Sequence, residues 1–461
     1  MSTLPPPPAI PGSRFGHTAR FFRNPFPMLE EAQAELGDIF SMDLVGMGHW
    51  VYLCSPALIK EMFKAPADVL VAGEVNRELL GFMLGEDSTF CLDGQAHRQR
   101  QRLIHPFLNK PSLIHGHVPL VRELALETLA AMPMDRSFPF LHVAHRLSLD
   151  VMLRVFFGTG QRHELAELAT LFDTFAGKGL RSPLIPLKFL QIDLGRHSPW
   201  GRILHMQRRV REAFGKAINR RLDGASSLGD TGDAGDDRGI LLDVATTQQK
   251  DGGTLSRESL LQEVINLLFA GHETTGTIMT WTLETLHSHP EVLDRVRQEL
   301  ADVAGDAPIS LEHVPRLEWL QATIQETIRY RPIAPMAGVR LAKRPFEIGG
   351  HTVPEGSLVA QCFPRMARFP ELYARPDHFD PEHFYRRRTK PFEWNPFGGG
   401  TRMCVGRGLA ELELLVVIAT FLQHADFEIA QDTVVPERQG LFFTPSQGLQ
   451  LRMKHRNGSL S

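Results

Sequence analysis

From Ser256 to Ser288 the chain reads as one long helix, opened by Ser256 as an N-cap and stopped near Pro290. At ~1.5 Å per residue it crosses roughly 50 Å, the span of a whole large domain. Apolar residues also recur at helical spacing in Pro119–Ala131, Val143–Phe157 and His163–Phe175. Strand signals are fewer. Ile39–Leu44 and Trp50–Cys54 read as short strands around Val45-Gly46-Met47-Gly48, and Ser55-Pro56 then opens a helix ending near Phe63. Val339–Val359 looks extended, with turns at Gly349-Gly350 and Pro354-Glu355-Gly356. The expectation from these patterns is a helix-rich chain with a minor strand component.

Composition narrows the function class. With 461 residues, 43% of them hydrophobic, the chain can bury a large core and is not disordered overall. Fifty Lys and Arg against 53 Asp and Glu leave a net charge of −3, which argues against a nucleic-acid partner. The four cysteines, Cys54, Cys91, Cys362 and Cys404, are too sparse for a disulfide scaffold and form no zinc-type pair. The longest apolar run, Leu414–Leu422, is far short of the ~18–20 residues that span a bilayer, so it reads as a core helix. No apolar stretch near the start suits a signal peptide, and the chain is expected to be cytoplasmic, with no membrane anchor. Residues 1–20 form a Pro-rich arm and 21–455 a single domain, followed by a tail over 456–461. Gly224–Gly239 (GASSLGDTGDAGDDRG) reads as a solvated flexible loop rather than a calcium repeat.

The most informative segment is Phe397–Gly406, FGGGTRMCVG. Three glycines let the backbone turn tightly and lie flat against something bulky. Cys404 sits beside the N-terminus of the apolar helix that follows, where the helix dipole favours a thiolate. Gly-Lys-[Ser/Thr] is absent, which excludes a P-loop. A cysteine hydrolase lacks a recognisable His partner. A haem-iron thiolate fits best, with Arg402 meeting a propionate. The segment resembles the cysteine-ligand loop of the cytochrome P-450 superfamily, Phe-x-x-Gly-x-Arg-x-Cys-x-Gly, at every fixed position.

Two further segments carry the resemblance. Ala270-Gly271-His272-Glu273-Thr274-Thr275, near the middle of the long helix, is similar to the family's oxygen-activation segment. The likeness implies that Thr274 hydrogen-bonds iron-bound dioxygen and that Glu273 helps relay protons to it. His272 reads as a helix-surface or packing residue. Glu326-Thr327-Ile328-Arg329 resembles the family's buried Glu-x-x-Arg pair, a structural brace. Its third member falls in Phe379–Phe384, where His383 replaces the usual arginine and weakens the charge network.

By the same resemblance His97, Arg340 and Arg402 contact the haem propionates, and Gln101 stands where a second basic contact is usual. Phe397 and Ala270 lie against the macrocycle. Asn266, Phe269, Ala270, Ile333, Ala334 and Met336, with the Leu441–Gln447 turn, line the substrate pocket. Asn266 either bonds a substrate polar group or satisfies its own helix.

The resemblance thus implies a mainly α fold, a cytochrome P-450-like helical domain with a small β-rich subdomain, holding haem b. It would insert one oxygen atom from O2 into a medium to large hydrophobic molecule. Electrons would come from a separate ferredoxin or flavodoxin with its NAD(P)H-dependent reductase, steered by a basic face that includes Arg98 and Arg102. A peroxide-driven peroxygenase and a non-enzymatic haem sensor are the rivals. The Glu273-Thr274 pair speaks against both.

Overall fold

Four prolines keep the start of the chain out of helix, and the arm runs extended instead. Ser41 N donates to Pro8 O (2.8 Å), Ile10 N to Ser41 O (2.9 Å) and Thr352 N to Pro5 O (2.9 Å). The computed structural model describes residues 4–160, 162–180, 191–227, 239–247 and 253–456. Helix α1 (Arg14–Arg23) begins inside the 1–20 arm because the Ser13 side chain accepts from Gly16 N as its cap. Asn24 caps α2 (Pro25–Leu36) in the same way. The hairpin β1 (Ile39–Leu44) and β2 (Gly48–Leu53) follows, then α3 (Pro56–Lys64), β3 (Leu70–Val71), α4 (Gly73–Leu84), α5 (Gly94–Asn109) and α6 (Pro111–Ile114).

The helical layer comprises α7 (Val118–Ala131), α8 (Phe140–Phe157) after the short β4 (Phe138–Pro139), α9 (Arg162–Leu180), α10 (Pro199–Ser227) and α11 (Ile240–Thr246). Helix α10 takes up the first residues of the Gly224–Gly239 insert, while 228–238 lie outside the described residues, as do 457–461 of the tail. Then come α12 (Arg257–Ser288), α13 (Pro290–Val303) and α14 (Glu318–Tyr330). The extended stretch resolves into β5 (Met336–Ala342), β6 (Phe346–Ile348), β7 (His351–Val353) and β8 (Leu358–Cys362). After α15 (Phe363–Ala367), helix α16 (Arg407–His424) and strands β9 (Ala425–Ile429), β10 (Pro436–Gln439), β11 (Phe442–Pro445) and β12 (Gln450–Arg456) complete the chain.

The largest sheet has the order β1-β2-β8-β5-β3, with β2 and β8 parallel and the other pairs antiparallel. Its β5–β8 register shifts between Ala337 and Arg340, an irregularity that re-aims the strand next to Arg340. Helix α12 runs through the main core, as its length requires, and α8 packs along it. Gly276 permits that approach, since a Cβ there would lie 2.5 Å from the His145 ring and 2.8 Å from its backbone N.

Many residues of α12 are buried yet polar, including Thr275, Thr277, Thr280, Thr282 and Thr285. Thr280, Thr282 and Thr285 donate to the carbonyls of Gly276, Ile278 and Trp281 within the helix, so burial leaves those hydroxyls satisfied. No helix among the described residues is long and apolar enough to cross a membrane. Cys54, Cys91 and Cys362 are buried free thiols, as small packing residues should be, whereas Cys404 is exposed.

Glu326 and Arg329 form a fork-to-fork pair (2.7 and 2.6 Å) with both side chains 0% exposed. Arg329 also donates to the carbonyls of Ala367, Pro376 and His378, and Glu326 accepts from Asp380 N (2.7 Å). His383 keeps the third place, with Nδ1 3.2 Å from Glu326 Oε1. A flat ring there reaches the carboxylate because Pro381–His383 is a tight turn capped by Asp380.

Candidate active site

Helix α12 is buried along nearly its whole length, but Ala270 is exposed and Gly271 and Thr274 are half-exposed. A helix sunk in the core can show such a strip only where it faces an internal hollow. Thr274 Oγ1 donates to Ala270 O (2.7 Å), the back-bond that its spacing predicts.

The cysteine loop is built by local turns. Gly400, with φ +62, approaches Phe63 so closely that a Cβ would lie 2.8 Å from its carbonyl oxygen, which only glycine allows. Cys404 N donates to Phe397 O (2.8 Å), which turns the thiol two residues before Gly406, the cap of α16. Cys404 is exposed yet densely surrounded. That desolvation pushes its thiol up, opposed by the Gly406 backbone N–H. Asn109, at the end of α5, donates to Val405 O and accepts from Gly408 N (3.1 Å). It therefore grips the chain on the helix side of the cysteine, a role with no sequence signal beyond a short amide side chain at a helix end.

Beside this loop lies a cationic cleft bordered by Ala72, Asp93, His97, Arg98, Arg340 and Arg402. Arg340 is buried, and its guanidinium hydrogen-bonds only the Val339 carbonyl among the described residues. Burial, then the nearby Arg402, lowers its pKa to about 10. His97 is held near a pKa of about 4 by burial and by Arg402, against the pull of Asp93, so it is neutral at pH 7. Arg402 does not reach into open space: it binds Asp93 Oδ1 (2.5 Å), Thr89 O (3.2 Å) and Leu92 O. Asp93 in turn accepts from the N–H groups of Ala72, Gly73 and Glu74, capping α4. Burial alone would raise its pKa, but the Gly73 N–H, Arg402 and the other two N–H groups hold it below the usual carboxylate range.

Positive groups outnumber Asp93 in this cleft, so it suits a ligand with more than one negative charge. A single thiol, a cationic cleft and an accessible strip on a core helix together fit a haem with two propionates. Gln101 is half-buried on α5, one turn after His97, and Phe397 is half-buried under the Arg407 guanidinium (5.4 Å).

Other expected positions are dispersed. Asn266 is buried and donates to Glu263 Oε1 (3.0 Å) within its own helix, the second of its two readings. Glu263 also accepts from Thr89 N (2.8 Å) and meets Arg100 (3.4 Å), a buried cluster that ties the Asp87–Thr89 segment to α12. Phe269 is packed in the core, whereas Ile333, Ala334 and Met336 are half-exposed. In the Leu441–Gln447 turn Leu441 is exposed, but Phe443 is buried and its carbonyl accepts from Trp281 Nε1 (3.0 Å). His272 is fully buried and not on the helix surface, and Glu273 turns with it toward α8 and α9.

Sequence reasoning also passed over Glu413, buried on α16 beside Ser148, whose Oγ donates to Gly271 O (3.2 Å). Burial pushes its carboxyl up to about 8, relieved only in part by Ser148. Between pH ~4.5 and ~8 the unfolded chain has released this proton and the folded one retains it, so stability falls by about 1.4 kcal/mol per pH unit. Glu413→Gln is expected to flatten that part of the pH–stability curve. Chemical denaturation between pH 5 and 9 checks it, and an unchanged slope counts against the assignment.

The comparisons with known proteins converge. The family model for cytochrome P450 matches residues 5–453. Cytochrome P450 135B1 of Mycobacterium bovis is 30% identical over 459 residues, 98% of this chain and 91% of the relative. Cytochrome P450 138 of Mycobacterium tuberculosis is 30% identical over 454 residues, covering 98% and 96%. Two solved structures share the fold. The retinoic acid-bound cyanobacterial CYP120A1 has a TM-score of 0.82 at 22% identity, covering 98% of this chain and 100% of that one. The cytochrome P450DA heme domain has 0.83 at 21%, covering 99% of each. A cysteine loop, an acid–threonine helix and a cationic cleft, set in a chain matched almost end to end, make this protein a member of the cytochrome P450 family, an oxidoreductase that uses haem and dioxygen.

Proposed function

We propose that this chain is a monooxygenase holding haem b on Cys404, and that it inserts one oxygen atom from O2 into a medium to large hydrophobic molecule. The observation that carries this reading is the accessible Ala270–Thr274 strip on an otherwise buried helix, together with an exposed Cys404. When bound, haem supplies the activation of dioxygen at a thiolate-held iron.

The chain's own residues do the rest. Arg340 and His97 offer N–H donors to the propionates, and Arg402 braces the cleft through Asp93. Thr274 Oγ1 holds a hydrogen that it gives to Ala270 O at rest and can turn toward the hollow. Glu273 is the carboxyl that supplies a proton to that site. Half-exposed Ile333, Ala334 and Met336 present apolar surface suited to a hydrophobic substrate. Arg98 and Arg102 are exposed on α5, a basic patch that suits an acidic ferredoxin or flavodoxin fed by an NAD(P)H-dependent reductase.

Thr274→Ala is expected to keep the spectrum of the haem protein while product formed per NAD(P)H falls about tenfold and hydrogen peroxide accumulates. Product, NAD(P)H and peroxide are measured together. Unchanged coupling would favour a haem sensor or another role for the hydroxyl, and full turnover with peroxide alone would favour the peroxygenase.

A further inference from the structure

Beside the Ala270–Thr274 strip on α12, a polar cluster joins three helices. His272 is 0% exposed, and neither ring nitrogen has a hydrogen bond of ordinary geometry. Each nitrogen nevertheless faces a carboxylate: Nε2 lies 3.4 Å from Asp173 Oδ1 on α9, and Nδ1 lies 3.9 Å from Glu273 Oε1. The Asp173 side chain is 54% exposed and that of Glu273 only 9%. His145, on α8, has Nε2 3.8 Å from Glu273 Oε2 and 3.2 Å from Thr277 Oγ1. The ring therefore bridges a carboxylate in contact with bulk water and one that is sealed from it.

We propose that Asp173 and His272 carry protons from solvent to Glu273, with His145 positioning the Glu273 carboxylate. A proton taken from water by Asp173 passes from its carboxyl to His272 Nε2. The ring then releases the proton on Nδ1 to Glu273 Oε1, so one proton enters, one leaves and no electrons move. The imidazole resets by returning to the Nδ1–H tautomer, and the long distances shorten as each transfer occurs.

The groups facing this path are Asp173 on α9, His142 and His145 on α8, and His272 and Glu273 on α12. Interaction with His272, and more weakly with His145 and His142, holds the Asp173 carboxyl below its usual range despite partial burial. A metal would use the same atoms, but the 3.8 and 3.9 Å separations exceed the ~3.3 Å ligand–ligand edge of a tetrahedral site with ~2.0 Å bonds.

The inference rests on Glu273 as the proton donor, and the experiment separates the two ideas. Holoenzyme variants Asp173→Asn, His272→Gln, His272→Phe and Glu273→Gln are compared for coupled turnover. Ring-nitrogen NMR of the diamagnetic carbon monoxide-bound ferrous protein supplies a second readout. All four variants are expected to lower coupled turnover about tenfold. Asp173→Asn should also change the His272 tautomer balance, because its amide donates where the carboxylate could only accept. If Glu273→Gln slows turnover but the Asp173 and His272 variants do not, the relay is overturned and the donor reading stands. If Glu273→Gln is itself without effect, the donor reading fails. One equivalent of tightly held zinc, lost in His272→Gln, or a His272 spectrum indifferent to Asp173→Asn, would also overturn the relay.

Discussion

Cys404→Ser is expected to abolish the absorption band that carbon monoxide gives a reduced, thiolate-ligated haem, and to bring oxygenation to background. Serine preserves the shape of the loop and the backbone bond from residue 404 to Phe397 O, so the fold should persist. What it removes is a soft, ionisable sulfur, because an alkoxide is far harder to form than a thiolate at neutral pH. Burial pushes the Cys404 thiol up, so a cation must offset that cost when the thiolate forms, and in the proposed function the haem iron would be that cation. Reduced-CO spectroscopy of the purified variant is the check. Retention of the thiolate band would remove Cys404 as the ligand.

Glu326→Ala is expected to be the most destabilising single change. It leaves Arg329, fully buried and held by three carbonyls, without its counter-charge, a loss of about 3–5 kcal/mol. For a chain this long that corresponds to about 3–5 °C in Tm if unfolding is cooperative. The double variant Glu326→Met with Arg329→Leu should lose less than either single change, since no buried charge is then left unpaired. Denaturant curves of Glu326→Met, Arg329→Leu and the double variant form the cycle, and simple additivity would show that the pair acts independently.

The helical layer and the cysteine loop were readable in advance because their signals are local. Helical periodicity and a serine cap define α12, and glycines with positive φ define the loop before Cys404. The β1–β2 hairpin was legible for the same reason, as short apolar runs around a turn, whereas β5–β8 were readable only as one extended, turn-rich stretch over Val339–Val359. The hydrogen-bond partner of Asn266 was not legible, because its spacing is consistent with any face of a buried helix. Only Glu263, itself bound to Thr89 N and near Arg100, shows which face it occupies.

The same limit explains Arg402. Its motif position is unambiguous, but its partner Asp93 is 309 residues away in sequence. Asp93 is committed to it only because the α4 N-terminus needs a cap at that point.

What the sequence determined by itself is the set of local motifs on which the proposed chemistry rests: Cys404 in its glycine loop, the Ala270–Thr274 segment and the Glu326–Arg329 brace, each encoded within a few residues. The tertiary structure alone decided which face each of these turns to. Thr274 lies on the accessible strip while its neighbours His272 and Glu273 turn toward α8 and α9, and Glu413 is sealed beside Ser148. The physical reason is that a residue's exposure and partners come from helices packed against it from distant parts of the chain, and helical periodicity does not name those helices.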